Sequence, residues 1–550
     1  MKPYDSYNLY FGDLHTHCAI SYGKGTLETA LRNAKMHLDF CSVTGHAHWP
    51  DMPEPNPAIQ RVIAFHNEGF DKLKQLWPEV IETMNRENRD HQFVTFPGFE
   101  IHSMEDGDRT IIYRDGIGEI IYAKSIPDLE AALRDVAAEG TIAMSFPHHI
   151  GYKQGRRGIN WKSFNPEFAP IVEIASMHGM AEDDEAAASF LHTMGPGDGE
   201  STMAEGLRQG HFFGVAGNTD HHSASPGSYG CGVTGVWAEE LTRKGIWDAL
   251  VNRRTYACTG DKIGLEFTLE GFPMGSVIRD RGSGSPESGS RAADGVEIAV
   301  SVRGGGPIDY VDIIKNGRLL ERFSQCDIDR GEAGDGAYPN DPSLSGAGRT
   351  DTIHTKLFLE LGWGHRDRIT EWNLDFGIDT GRILSVEPRF RGPMVLSPLE
   401  KDKIDEDDLF YSWERTDEKS VSFYAKTWGN PNPFTNGCQG ICLEVEMPVN
   451  GRILLSHRNN PRADGGPVPL ERALKGAVTG YSTPDIEAAA WRIHRAPRRE
   501  EFLWDIRYTA PESGRGPAAA GTEGLDGGDF YYVRVRQKNG QMAWSSPIRI

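Results

Sequence analysis

Asn8–His17 reads NLYFGDLHTH, an apolar run that closes on a His-x-His pair. Leu9–Leu14 has the short, bounded apolar character of a strand. Residues two apart on such a run share a face, so His15 and His17 point the same way. The same junction of apolar run and ligand-type side chains recurs in TGHAH (His46, His48), PGFEIH (Glu100, His102), FPHH (His148, His149), ASMHG (His178) and GNTDHH (Asp220, His221, His222). Asp220 and His222 share a face in the last of these, leaving His221 on the other. Further strand-like runs are Phe40–Thr44, Phe93–Phe99, Thr141–Phe146, Ile171–Ser176 and Phe212–Gly217. Helical patterns cover Thr26–His37, Asn56–Asn88, Pro127–Glu139 and Thr242–Arg253. This alternation predicts parallel strands with helices outside, in a barrel or doubly wound sheet. The carboxyl ends of such strands converge on one face. Imidazoles and acids gathered there make a metal site for Zn, Mn or Fe.

The rest of the chain sets bounds on this reading. It has 550 residues, with 58 Lys+Arg against 79 Asp+Glu and a net charge of −21. A general nucleic-acid binder needs a basic footprint, so the balance argues against one. No stretch reaches the ~18 apolar residues of a membrane span. MKPYDSYNLYFGDLHTH lacks an apolar signal core. The seven cysteines show no paired CxxC spacing, which disfavours a disulfide framework or a zinc ribbon and makes a reducing cytoplasm the default. Of 19 histidines, 15 lie at or before His222, so the chemistry is expected at the front. Past Gly260 the rhythm changes to alternating runs such as Leu265–Leu269, Val296–Val302, Val311–Lys315, Arg452–Ser456 and Phe530–Arg536. Two domains are therefore expected, an α/β domain carrying the metal site over 1–260 and an antiparallel β-sandwich-like domain over 261–550. Arg281–Gly295 and Gly331–Gly348 read as loops, and Asp183–Glu205 as a helix–loop insertion.

The series HTH, GH, GFE, PHH and DHH resembles the PHP (polymerase and histidinol phosphatase) family. The likeness is greatest to its large two-domain branch, catalogued mainly as a domain of unknown function. It extends through Tyr229–Gly260 and reaches the closing FYYVRVRQKNGQMAWSSPIRI. The resemblance implies a distorted (βα)7 barrel, a centre of one to three divalent ions, and for most known activities phosphoester hydrolysis. Carried over by position, it implies one metal on His15, His17, Glu100 and Asp220. A second would share Glu100 and use His148, and a third would use His46 and His222. His178 would face the site as ligand or acid. Three departures from the family pattern stand out: Tyr22 and Gly23 where an acid or histidine is common, Gly45 where an aspartate is common, and Asp108 where a histidine is common. Asp108 reads more readily as a turn or surface acid than as a ligand. One or two tightly held ions are expected.

Hydrolysis of a phosphoester needs positive charge over the nonbridging oxygens and a proton for the leaving group. Candidates for the charge are Arg109 and the basic turn GYKQGRRG with Lys153, Arg156 and Arg157. His178 and His149 are the candidate proton donors. His102 could orient a ligand, and His48 with Trp49 could close one side of the pocket. His37, His66, His91, His192 and His211 read as surface residues. The leading expectation is a cytoplasmic metal-dependent phosphoesterase acting on a small anionic substrate. The alternative is an amidohydrolase-like enzyme cleaving a C–N or carboxylic ester bond, and after it a noncatalytic binding protein that works through its β-domain.

Overall fold

In chain order the first part of the protein runs β1 (Asn8–Asp13), α1 (Leu27–Lys35), β2 (Phe40–Cys41), β3 (Thr44–His48), α2 (Gln60–Glu87), β4 (Val94–Thr95), β5 (Gly98–Ile101) and β6 (Arg109–Tyr113). It continues with α3 (Ile126–Ala138), β7 (Ala143–Pro147), β8 (Ile171–Ser176), β9 (Gly179–Met180), α4 (Met203–Arg208), β10 (Gly214–Gly217), β11 (Val233–Ala238), α5 (Arg243–Val251) and β12 (Thr255–Cys258). The structure is a computed structural model that describes residues 3–185, 195–279, 295–329, 352–365, 368–393, 409–429, 437–459, 465–511 and 528–550. Residues 281–294 of the Arg281–Gly295 loop, the Gly331–Gly348 stretch, residues 186–194 of the Asp183–Glu205 insertion, and His192 with them, lie outside the described residues.

The helices begin where the sequence supplies caps. Thr26, Ser125 and Thr242 stand in extended backbone and accept the N–H three residues on through their side chains, an arrangement worth about 1 kcal/mol each. In α2 the buried positions Ile63, His66, Gly69, Leu73, Trp77, Val80 and Met84 recur at helical spacing and form one inward stripe.

The strands are mixed. β1–β2, β2–β4, β3–β5 and β8–β10 are parallel. β1–β11, β11–β12, β5–β6 and β6–β7 are antiparallel. The α/β class thus stands, but among the described residues the uniformly parallel order expected of a (βα)7 barrel gives way to a mixed one. The reason is plain at β6, in GDRTIIY. Residues 102–108 are too few for a crossover, so the chain must return antiparallel.

The chain divides into two compact units: Met1–Val302 with Asp309–Ala337 and Asp505–Ile550, and Arg303–Ile308 with Tyr338–Trp504. This differs from the division expected at residue 260. In the first unit β1, β2, β4, β11 and β12 join Ile308–Lys315, Arg318–Ser324, Phe530–Gln537, Met542–Ser545 and Ile548–Arg549 in one 10-stranded sheet. β12 pairs directly with Met542–Ser545. Phe530, Tyr532, Met542 and Trp544 share a core with Val172, Ile174 and Val215 of β8 and β10. A buried ion network holds them there. Arg534 reaches Glu182 at 3.0 Å and Asp312 at 2.7 Å, and Trp544 Nε1 donates to Glu182 at 2.8 Å. The second unit is β-rich as expected, with two five-stranded sheets whose pairings are antiparallel.

His37 and His66 correct the surface expectation, since each is only 9% exposed. His37 donates from Nε2 to the Pro226 carbonyl at 3.0 Å. Burial, with Lys262 adding repulsion, pushes its imidazole down to about 3. An unfolded histidine titrates near 6.5. The stability due to neutral His37 is therefore complete above about 6.5 and falls as pH drops toward the folded value, by about 1.4 kcal/mol per pH unit. His37→Asn should accordingly flatten the pH dependence of urea-unfolding midpoints between about pH 6.5 and 5. Parallel curves for the two proteins would refute this.

Candidate metal centre

Glu100 lies on β5 with His46 of β3 opposite it on one side and Thr110 of β6 on the other. Pairing register alone thus puts an imidazole and a hydroxyl beside a buried carboxylate. Oε2 of Glu100 lies 3.3 Å from Nε2 of His15, of His17 and of His46. Oε1 lies 3.3 Å from His148 Nε2 and 3.1 Å from His102 Nδ1. Asp220 follows β10 in the left-handed backbone region (φ 51°), a strained conformation for a residue other than glycine. Its Oδ1 sits 2.9 Å from His17 Nε2 and its Oδ2 sits 2.7 Å from His178 Nε2. The ligand atoms of His15, His17, Glu100 and Asp220 all fall within 4.8 Å of one another. Overlapping groups of the same reach are His17–His46–His222, His46–Glu100–His102, Asp108–His148–His149 and His149–His178–Asp220.

Outer partners aim the imidazoles. His15 Nδ1 bonds Glu173 Oε2 at 2.9 Å, and that carboxylate also accepts Asn218 Nδ2 at 3.0 Å. His46 Nδ1 meets Ser21 Oγ at 3.2 Å, His148 Nδ1 meets Thr110 Oγ1 at 2.9 Å, and His178 Nδ1 meets the Tyr152 hydroxyl at 2.9 Å. His222 Nδ1 lies 2.8 Å from the Asp220 carbonyl. With Nδ1 engaged outside, Nε2 of His15, His46, His148 and His178 faces inward, the usual outer support of a metal-binding histidine.

Titration follows from this crowding. Burial opposes ionisation of Glu100, yet His46, His148 and His102 hold its carboxyl well below the usual range. Burial likewise opposes Asp220, and His15 and His178 pull it well below. Burial opposes charge on His15, but Asp220 and Glu173 raise it well above the ordinary imidazole value. Burial lowers His46, His148, His178 and His222.

The residues singled out from sequence separate here. His15, His17, His46, Glu100, His148, His149, His178, Asp220 and His222 are brought together. Asp108, expected as a turn or surface acid, is 0% exposed because Arg157, His102 and His149 close over it. Arg109 is buried, but its Nη1 donates to the Gly107 and Asp108 carbonyls and braces that turn. Of the basic turn, Arg156 is exposed and Lys153 pairs with Asp198 at 3.2 Å. Arg157 is the one that enters the cluster. His48 Nε2 bonds the Ala123 carbonyl at 2.9 Å, while the Trp49 ring packs 5.3 Å from His102.

The departures from the family pattern have physical reasons. A Cβ at Gly45 would meet Leu73 Cδ1 of α2 at 2.7 Å, so a side chain there would have to displace Leu73. The Tyr22 ring stacks on His46 at 3.7 Å and its hydroxyl lies 3.2 Å from His102 Nε2. Glu173 escaped notice in the sequence; the only signal is a lone acid inside the apolar run Ile171–Ser176.

The donor set fits divalent metal. Four carboxylates, Glu100, Asp108, Glu173 and Asp220, are each at most 3% exposed. Among the described residues paired with them, Arg157 carries the one permanent positive charge, and the other partners are imidazoles. Buried charge of one sign is costly unless paired. A divalent ion supplies the missing charge, and imidazole with carboxylate is the chemistry of Zn, Mn or Fe sites.

Comparisons with known proteins can now be set beside this geometry. Residues 174–280 match DUF3604, a protein family of unknown function. An uncharacterized protein of Chlamydia pneumoniae is 27% identical over 282 residues, 48% of this chain and 44% of that protein. One of Chlamydia trachomatis is 26% identical over 281 residues, 47% of this chain and 43% of that protein. The chain therefore spans less than half the length of the curated relatives it matches. A Bacteroides vulgatus crystal structure, described as a two-domain protein containing a predicted PHP-like metal-dependent phosphoesterase, is 19% identical with a TM-score of 0.29. The match covers 56% of this chain and 80% of that one. No helix among the described residues is long and apolar enough to cross a membrane.

Glu173 provides a direct check. Glu173→Gln keeps the shape but weakens the hold on His15 Nδ1 and should reduce metal affinity about 10–100-fold by chelator competition, with an unchanged circular dichroism spectrum. Undiminished affinity would disconnect Glu173 from metal binding.

Proposed function

We propose that the protein is a metal-dependent hydrolase, and that its substrate is a small anionic phosphoester. The carrying observation is the convergence of His15, His17, Glu100 and Asp220 amid more buried carboxylate than local cation. These four would hold one ion, and His46 and His222 are the side chains available to another. A divalent ion bound there supplies a Lewis acid that acidifies water and offsets charge developing on the attacked group.

The chain's own groups do the rest. A carboxylate only accepts, so His178 Nε2 carries the proton it shares with Asp220, and Nδ1 accepts from the Tyr152 hydroxyl. That fixes the ring and holds a proton at Nε2 with a second donor behind it. His149 faces Asp108 Oδ2 at 3.2 Å. Arg157 and His222 have side chains 16% and 24% exposed, and Tyr22 and Trp49 are half-buried. Substrate would enter along this edge, past the Arg157 guanidinium, which can donate hydrogen bonds to an anionic group while it is paired with Asp108.

A second reading, cleavage of a C–N or carboxylic ester bond by the same centre, is favoured by one observation. Beside the 151–158 loop lies a cleft of about 450 Å³ lined by Asp51, Glu105, Asp198, Glu200 and Lys153, among others. Its acidic wall suits neutral or cationic groups better than a dianion. Turnover of aryl phosphate mono- and diesters against aryl esters and anilides, after Mn or Zn loading, separates the two. Phosphate release is expected, falling more than about 100-fold in His17→Ala and Asp220→Ala. Release confined to esters or anilides transfers the assignment to the second reading. Full activity in both variants removes the site.

A further inference from the structure

The two oxygens of Glu100 face unlike neighbourhoods. Oε2 is turned to His15, His17 and His46, whereas Oε1 is turned to His148, His102 and, at 3.8 Å, Arg157 Nη2. On the Oε1 side, Asp108, His148 and His149 offer donors within 4.8 Å of one another. By chemistry alone that set suits a divalent ion. Yet Asp108 Oδ2 already accepts Arg157 Nε at 2.7 Å, together with Arg157 Nη2 and His102 Nδ1. Its other oxygen accepts the Ser103 N–H at 2.9 Å. A zinc-type ion must come within about 2.0–2.2 Å of a carboxylate oxygen. Here it would press into the guanidinium and meet like charge at close range.

The backbone is shaped to deliver that guanidinium. Arg157 stands at φ 70°, a conformation that favours glycine, so tertiary packing must impose it. A Cβ at Gly158 would lie 1.6 Å from the Tyr152 carbonyl oxygen, and one at Gly107 would lie 2.9 Å from the Gly158 carbonyl oxygen. Glycines at these two positions let the 151–158 loop close onto the turn that carries Asp108.

We infer that the Arg157 guanidinium takes the place of a metal ion on the Oε1 side of Glu100, closing the Asp108–His148–His149 position to divalent cations. This rests on the metal-dependent reading above. The Arg157–Asp108 pair is neutral as a unit. Glu100 and Asp220 then remain as the central carboxylates, and their metal lies on the side of His15 and His17.

Metal content of the full chain, after loading with Zn or Mn and removal of excess, tests this by elemental mass spectrometry. Arg157→Met should bind about one further ion per chain than the wild type, and Arg157→Lys, which keeps a cation, should match the wild type. Adding Asp108→Asn to Arg157→Met should return the count to the wild-type value. Should Arg157→Met not fold, anomalous scattering from loaded wild-type crystals decides: no peak is expected between Asp108 Oδ2, His148 Nε2 and His149 Nε2. A peak there, or equal non-zero content in wild type and Arg157→Met, overturns the inference alone. Absence of metal from every variant overturns it together with the metal-dependent reading.

Discussion

Carboxylates withdrawn from water without enough cation beside them are the constraint around which the first unit is arranged. Glu100, Asp108, Glu173 and Asp220 are all buried, and each sits against imidazole or guanidinium rather than bulk solvent. Such a cluster persists only if the surroundings fix it. Asn218 holds Glu173 while its own side-chain oxygen accepts from the Leu14 backbone N–H at 2.8 Å, tying the outer support to the end of β1. Asp13, one residue earlier, receives the backbone N–H groups of His15, Thr219 and Gly227. The His-x-His and Asp-x-His segments are thereby clamped together before any ligand is considered.

Strand ends supply the side chains, but they are not one ring of equivalent staves. The parallel pair β3–β5 sets His46 against Glu100, and the antiparallel return through β6 and β7 sets Thr110 and His148 on the other flank. Mixed strand direction is thus what allows a single carboxylate to be approached from both sides.

Much of this was legible in the sequence, for identifiable reasons. The helical patterns set to begin at Thr26 and Thr242 start one residue before α1 and α5, and His15 meets His17 and Asp220 meets His222, although each pair lies beyond the end of its strand. Ile171–Ser176 coincides with its strand. Direction of pairing was not legible, because an apolar run reads the same whichever way its neighbour points. Nor was the burial of Asp108, whose closure depends on Arg157 from a loop far along the chain. The choice among Lys153, Arg156 and Arg157 depended on how the 151–158 loop closes onto the turn that carries Asp108, which composition does not encode. The assignment of residues 505–550 failed for the same reason of distance: strand character was visible, but β12 as the partner of Met542–Ser545 was not.

That last pairing has a consequence for the order in which the protein can be made. Residues 338–504 form a contiguous stretch of the second unit, and the first unit is interrupted by it. A ribosome therefore finishes the inserted part while the sheet containing β12 still lacks Phe530–Gln537 and Met542–Ser545. Until those strands emerge, the Trp544 side of the core and the carboxylate of Glu182 have no cover. The nascent chain thus carries an open sheet edge through the synthesis of the inserted segment, a stage at which unpaired strands are most prone to mispair.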